Sequence, residues 1–538
     1  MKKIAILLDN PYISFHVKKI VEAFEKKQME VILLLHSPGV RPFSLNNICY
    51  RFLAKAESKL TALTNKTLRP YLEEFHVTQL SLKQLFLTPQ SDPHTVKITY
   101  PAKELEQLQE LHLDLILVLE PGLHIGGDIL TQVAKEGVLQ LFYSDRHVLE
   151  SKAIAFWEIF LRKDNIGFSI EKVLPEYNLP LFKGKIATFR QFTPMKVRLL
   201  REMTPYVIQT VDTYLQKEKP LPEHKPLDIY ASRILDIPTI GTQLSYIAKT
   251  SLLFASLIYK RIFQKRYSRF GVAFLRQNWQ GANLSEGVEI KTPKNHFYAD
   301  PFVWTKEGRT VCFVEDFDYT QNIAWISAVE IFEDNSYKIL GDVIKEPFHM
   351  SFPYLFEYEN ELYMIPETTQ AKSIRLYKCT EFPMKWEFQH ELMKDVHTAD
   401  TMVFPHDGKW WMLTNLSTPG NEDQAAQLFA FYSDSPLSTS WTPHKQNPVV
   451  FDSDCGRNGG ILFTENGTPV RGRQKQAFNI YGAALSIAKI ERLDENRYEE
   501  ELIANIKPDF FEGLSATHHI HAQGNVTVYD FMRYEKLD

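Results

Sequence analysis

Five times in the second half of this 538-residue chain one phrase recurs: a small polar or acidic knot, an apolar strand, a turn, an aromatic strand. The copies begin near Ala299-Asp300-Pro301-Phe302-Val303-Trp304, Ser351-Phe352-Pro353-Tyr354-Leu355-Phe356, Ala399-Asp400-Thr401-Met402-Val403-Phe404, Arg457-Asn458-Gly459-Gly460-Ile461-Leu462-Phe463 and Thr517-His518-His519-Ile520-His521. Their starts lie roughly 50 to 60 residues apart, the period of one β-propeller blade. The first strand of each blade lines the central channel. Asp300, Asp400, Arg457 and His519/His521 are therefore expected to converge on one funnel, and charge gathered at an axis proposes a site.

The rest of the composition narrows the classes. A formal net charge of -5 gives no global electrostatic case for nucleic-acid binding. Hydrophobic residues make up 44% and charged residues 24%, as in ordinary globular proteins. Aromatics reach 13% and crowd the C-terminal half, where both propeller strands and sugar-binding surfaces use them. The four cysteines, Cys49, Cys312, Cys379 and Cys455, form no CxxC pair. Neither a zinc site nor a disulfide framework is suggested, which fits a reducing compartment and a cytoplasmic location. The apolar run after Met1-Lys2-Lys3 is short and meets Asp9 at once, so it reads as a first parallel strand rather than a signal peptide.

Residues 1–215 read as α/β, a doubly wound parallel sheet. Strands are expected at Ile4–Leu8, Val31–Leu35, Leu113–Leu119 and Val138–Phe142, with helices at Phe15–Lys27, Ile129–Lys135 and Met195–Leu215. Residues 42–75 look like a polar helical insertion. Residues 216–269 read as a linker, Pro-rich and charged over Lys217–Pro226, followed by a long helix from Thr242 to Arg266. That helix ends in a basic cluster of Lys260, Arg261, Lys265, Arg266 and Arg269. Two readings stand: an inter-domain helix packing its apolar face on a neighbour, or a helix lying on an anionic membrane surface. Residues 270–538 read as all-β, a five-bladed propeller.

Within the α/β part, Asp114 to Gly184 resembles the formyltransferase fold. The likeness rests on Gly137-Val138-Leu139-Gln140-Leu141-Phe142-Tyr143-Ser144, on Gly167-Phe168-Ser169, on Leu181-Phe182-Lys183-Gly184, and on Trp157 before a turn. The family's Asn, His and Asp correspond here to Gln140, Phe142 and Phe182. Formyl transfer needs a group to hold an oxyanion and a base for the amine proton, and phenylalanine offers neither. The resemblance therefore implies the fold and argues against formyl transfer and a folate cofactor. Asp145, Arg146 and His147 follow the strand as a different candidate site or as loop polarity.

The C-terminal part resembles the five-bladed propellers of arabinanases, xylosidases, invertases and levansucrases, whose first blade opens with Ala-Asp-Pro, as Ala299-Asp300-Pro301 does. It is also similar to the amino-terminal domain of the glucosamine inositolphosphorylceramide transferase family. That likeness rests on Tyr298-Ala299-Asp300-Pro301-Phe302, Pro366-Glu367-Thr368, Ala399-Asp400-Thr401, Arg457-Asn458-Gly459-Gly460 and Arg471-Gly472-Arg473-Gln474. In the plant enzymes the transfer chemistry is attributed to another domain, so the family name does not carry the activity over.

Inverting glycoside hydrolysis needs a carboxylate to activate water and a carboxylic acid to protonate the leaving oxygen. The likeness places Asp300 as base and Asp400 as acid. Blade two opens on Ser351-Phe352-Pro353 without the usual carboxylate, for which Glu315 and Glu367 are substitutes. Arg457, Arg473 and Gln474 are expected to bind an anionic group on the substrate. His519 or His521 is expected to hold a central water or ion; no other cofactor is expected. The chain is thus read as a carbohydrate-active protein of surface-glycan biosynthesis, its partner a glycan or activated sugar. The alternative is a non-catalytic glycan-binding or assembly platform.

Overall fold

The computed structural model describes residues 1–9, 11–37, 44–91, 98–123, 132–144, 152–174, 177–217, 237–264, 266–418 and 424–536. They form two compact units, Met1–Leu252 and most of the chain from Leu253 onward.

The first unit is built on a seven-stranded sheet. Its strands are β1 (Lys3–Leu8), β2 (Glu30–His36), β3 (Lys83–Leu87), β4 (Leu115–Val118), β5 (Val138–Phe142), β6 (Asn165–Val173) and β7 (Asn178–Ala187). The spatial order is β7-β6-β5-β4-β1-β2-β3. Strands β3, β2, β1, β4 and β5 run parallel. Ile4–Leu8, Val31–Leu35 and Leu115–Val118 are buried throughout, as continuous apolar runs must be when both faces are covered. The helix Phe15–Lys26 presents Val17, Ile20, Val21 and Phe24, spaced i, i+3, i+4, i+7, to this core. The side chain of Ser14 accepts the Val17 N–H at its start.

The sheet departs from the expected all-parallel design. Strands β6 and β7 are antiparallel to their neighbours, so the sheet is mixed, with a hairpin on one edge. A short return is sterically free to make that hairpin, whereas a parallel step needs a crossover. The helix expected over Ile129–Lys135 falls partly outside the described residues, and residues 132–136 form turns. Gly126-Gly127, Asp145, Arg146, His147 and the linker past Lys217 also lie outside them. The insertion contains the helix Leu45–Thr64, and the long terminal helix runs Phe192–Gln216.

The basic helix spans Ile240–Ile262, and the chain then turns into a strand at Arg266 rather than continuing helical. That strand, Arg266–Leu275, belongs to the propeller. Blade one is His296–Lys306, Arg309–Asp318, Ile323–Ile331 and Tyr337–Ile344; blade two is Ser351–Tyr358, Glu361–Glu367, Ser373–Glu381 and Lys385–Lys394. Blade three is Thr398–His406, Lys409–Leu416, Gln427–Ser433 and Thr442–Pro443; blade four is Arg457–Phe463, Pro469–Ala477, Ile480–Leu493 and Tyr498–Ile506. Blade five combines Ile520–Gln523 and Val526–Lys536 with Arg266–Leu275 and Val288–Ile290. Arg266–Leu275 pairs antiparallel with the C-terminal strand from Arg266↔Lys536 to Leu275↔Thr527. Early and late strands thus share one sheet, which closes the ring. First strands of successive blades contact one another all the way round, so they line the axis.

Candidate functional site at the propeller axis

The same local device opens the first strand in four blades. Pairing skips one residue between Ala299 and Phe302, Ser351 and Tyr354, Ala399 and Met402, and Asn458 and Ile461. Each skip is a β-bulge, which re-aims the side chains beside it. Asp300, Phe352 and Asp400 take left-handed backbone there, with φ of 49°, 46° and 49°. Such backbone is costly for residues other than glycine and gathers at functional sites. In blade four the left-handed residue is Gly460, with φ of 99°. A β-carbon there would come within 2.0 Å of the Ile520 carbonyl oxygen, so glycine is required.

The bulges bring two clusters to the axis. Arg457 holds both oxygens of Asp400, Nε to Oδ2 at 2.7 Å and Nη2 to Oδ1 at 3.2 Å. Its Nη2 also donates to Glu367 Oε2 at 3.4 Å. Gln474 Nε2 donates to Asp400 Oδ2 at 3.0 Å, and Asn458 Nδ2 donates to the Asp400 carbonyl at 2.7 Å. The Tyr481 ring lies 5.5 Å from the guanidinium.

The second cluster surrounds Asp300. Its N–H donates to Asp530 Oδ2 at 3.4 Å, and its Oδ1 lies 3.5 Å from His518 Nε2. The other ring nitrogen of His518 lies 2.6 Å from Asp530 Oδ2. The backbone N–H groups of His518 and His519 both donate to Asp530 Oδ1. Glu315, cross-strand from Ala299, sits 3.4 Å from His349 Nε2.

Burial sets the protonation chemistry. It raises the Asp300 carboxyl well above its ordinary range; His518 opposes this, while Glu315, Asp400 and Asp530 add to it. Burial also raises Glu367, to about 8; Arg457 opposes the shift, and the carboxylates of Asp400 and Asp300 reinforce it. For His518 burial alone would lower the value, but Asp530 and Asp300 outweigh it and lift the imidazole to about 9. The axis therefore carries a carboxyl poised as a proton donor beside a guanidinium able to stabilise it once ionised.

Asp300, Asp400, Glu367, Arg457 and Gln474 are brought together. Arg473 is not. Alternation along Pro469–Ala477 sends Gln474 to the axis and Arg473 to the other face, with Arg471. There Arg473 reaches Glu500 at 3.2 Å and Ser486 at 3.1 Å. His521 and His519 also depart from the role expected of them. Nδ1 of His521 accepts the Val303 N–H at 3.2 Å, and burial lowers its value to about 3. The His519 ring packs edge-on to Phe302 and Phe352, at 4.6 and 5.1 Å between centroids. Ligand-type atoms of Asp300, His518 and Asp530 lie within 4.8 Å of one another. These three, rather than His519 and His521, are the donors a central cation would find. They fit one only if it displaces the proton that His518 holds toward Asp530.

Sequence reasoning missed Asp530 and gave His518 no role. The signal for Asp530 was present: a lone carboxylate in the strand Val526-Thr527-Val528-Tyr529-Asp530-Phe531, fully buried in the fold.

The fold and its axial cluster define the class, a five-bladed β-propeller with a buried carboxylate–guanidinium centre. Within it, residues 284–513 match the family model described as glucosamine inositolphosphorylceramide transferase 1, N-terminal. The match takes in Asp300, Glu315, Glu367, Asp400, Arg457 and Gln474, while His518 and Asp530 lie beyond it. The chain is 33% identical over 241 residues to glucosamine inositolphosphorylceramide transferase 1 of Oryza sativa subsp. japonica, covering 43% of this chain and 32% of the relative. The Arabidopsis thaliana protein of that name is 32% identical over 209 residues, covering 38% of this chain and 27% of the relative. The chain thus spans about a third of the length of the curated relatives it matches. Among solved structures, a family 117 glycoside hydrolase from Zobellia galactanivorans superposes with TM-score 0.32 at 10% identity, covering 49% of this chain and 90% of that one. The Cellvibrio cellulosa α-L-arabinanase gives 0.30 at 10% identity, covering 38% and 77%.

Proposed function

We propose that the propeller handles a carbohydrate at its axis, with Glu367 as proton donor and Asp300 as proton acceptor. The observation that carries this reading is that Glu367 and Asp400 share the single guanidinium of Arg457, with Asp300 in the adjoining cluster of His518 and Asp530. The transferase named in the curated relatives supports a sugar as substrate class. The role read for Asp400 changes. Held bidentately by Arg457 and again by Gln474, it is a fixed anion that raises and orients Glu367, not the acid itself.

In this scheme Glu367 gives its proton to the oxygen that leaves the sugar, and Arg457 stabilises the carboxylate left behind. Asp300 takes the proton of the attacking hydroxyl or water. Burial raises its carboxyl well above the ordinary range, so it acts as a base only from its ionised fraction, which protonated His518, oriented by Asp530, enlarges. The N-terminal unit has no part in formyl transfer: Phe142 is buried in the core, and Phe182 stacks on Tyr206 at 4.9 Å.

The test is a screen of glycosides and activated sugars with the full chain, with Glu367→Gln and Asp300→Asn alongside. Each variant is expected to lose about 10²- to 10⁴-fold in turnover while still binding sugar. Turnover unchanged in either variant would remove that residue from the scheme. A second reading, a non-catalytic glycan receptor, is favoured by the neutralised Asp400. Sugar binding by wild type and both variants with no turnover in any of them would establish it.

A further inference from the structure

The helix Ile240–Ile262 turns only Gln243 and Tyr246 fully inward. Leu244, Ile247, Leu252, Ile258, Tyr259 and Ile262 are between 44% and 70% exposed. At 100° per residue these six fall on one broad arc, opposite the side on which Tyr246 sits. Six large apolar side chains on one open face exceed the scattered singles a protein surface ordinarily shows.

Along the helix and the strand that follows it the charge is of one sign, although Arg269 pairs with Glu535 at 3.6 Å and Arg276 with Glu333 at 2.9 Å. From residue 237 to residue 285 the sequence contains no Asp or Glu, yet it contains Lys249, Lys260, Arg261, Lys265, Arg266, Arg269 and Arg276. This stands in a chain whose overall charge is -5. Lys249, Lys260 and Arg261 are exposed on the helix itself. An apolar arc on a helix whose only charged residues are Lys249, Lys260 and Arg261 suits an interface that is oily within and anionic at its rim. Among the described residues no helix is long and apolar enough to cross a membrane, so the helix would lie along such a surface rather than pierce it.

We infer that the Ile240–Ile262 helix docks the protein on an anionic lipid bilayer, its apolar arc at the acyl boundary and Lys260 and Arg261 among the headgroups. The inference is independent of the propeller reading.

The experiment is co-sedimentation of the full chain with phosphatidylcholine vesicles with and without phosphatidylglycerol, at low and high salt. The result expected is binding to the anionic vesicles only, weakened by salt. Ile258→Asn with Ile262→Asn should reduce partitioning at least tenfold, and Lys260→Glu with Arg261→Glu about as much. All four positions are exposed, so the fold should survive, and an unchanged circular dichroism spectrum and melting temperature would verify that. No sedimentation at low salt, equal binding to neutral vesicles, or unchanged binding in both folded variants would overturn the inference. So would a wild-type dimer made monomeric by the apolar substitutions without any vesicle binding, which would assign the face to a second copy.

Discussion

Blade four carries two buried arginine–carboxylate clusters on opposite faces of one strand pair. On the outer face Arg471 is fully buried and meets both Glu500 oxygens, Asn458 Oδ1 and the Cys455 carbonyl. Arg473 and Tyr498 complete the shell around Glu500. Cations outnumber the anion; burial would raise Glu500, but Arg471 and Arg473 together bring it below its ordinary value. On the axial face the balance is reversed. One guanidinium serves Asp400 and Glu367, and Glu367 is driven up to about 8. Structural ion networks satisfy their charges; a set left in surplus is one that chemistry can use.

That contrast can be broken most forcefully at Glu500. Glu500→Ala leaves two buried guanidinium groups without their anion and should cost about 3–5 kcal/mol in urea unfolding. Glu367→Gln should cost far less or stabilise, because a carboxyl raised to about 8 is already largely neutral and the amide keeps its shape; an equal loss in both would erase the distinction. The pH dependence is the next largest effect. Glu367 and His518 both bind protons more tightly folded than unfolded. Their contributions to stability are complete at low pH and fade as pH rises, Glu367 between about 4.5 and about 8 and His518 between about 6.5 and about 9. Urea midpoints should therefore fall across that range, and Glu367→Gln should flatten the lower part.

Asp530→Asn should bring the His518 imidazole down below its ordinary value by removing the anion that outweighs burial, as read by NMR titration. A midpoint still near 9 would mean that Asp300 alone sustains it. The smallest effect is expected at Arg473. Arg473→Lys should lower stability by less than about 1.5 kcal/mol and leave sugar binding untouched, since its side chain faces Glu500. Loss of binding would return it to the axis.

Much of this was legible from the sequence. The repeat placed Asp300 and Asp400 at equivalent positions because a blade imposes its period on the chain. Arg473 was misplaced because strand register decides which of two neighbours faces inward, and a bulge shifts that register without altering composition. Asp530 was passed over because it sits on the second strand of blade five rather than in the knot that opens the blade. The first residues of the closing strand Arg266–Leu275 were read as linker and helix and the rest as propeller, but its pairing went unread, since its partner lies some 260 residues away and no local pattern announces it. The antiparallel edge of the first unit pairs strands that are close in sequence, and it was invisible because a buried apolar run reads the same in either strand direction.

The ring closure also gives the propeller a mechanical polarity. Arg266, just after the basic helix, lies opposite Lys536 at the same end of the closing pair. Tension between that helix and the C-terminus would load the ladder at one end and open it rung by rung, like a zipper, rather than shear it as a whole. Asp530 and its neighbours sit further along the same ladder, past Phe270↔Met532. A pull that frees the rim would release the carboxylate holding His518 only after the six rungs from Arg266↔Lys536 to Gly271↔Phe531, so the axis is guarded against fraying at the seam.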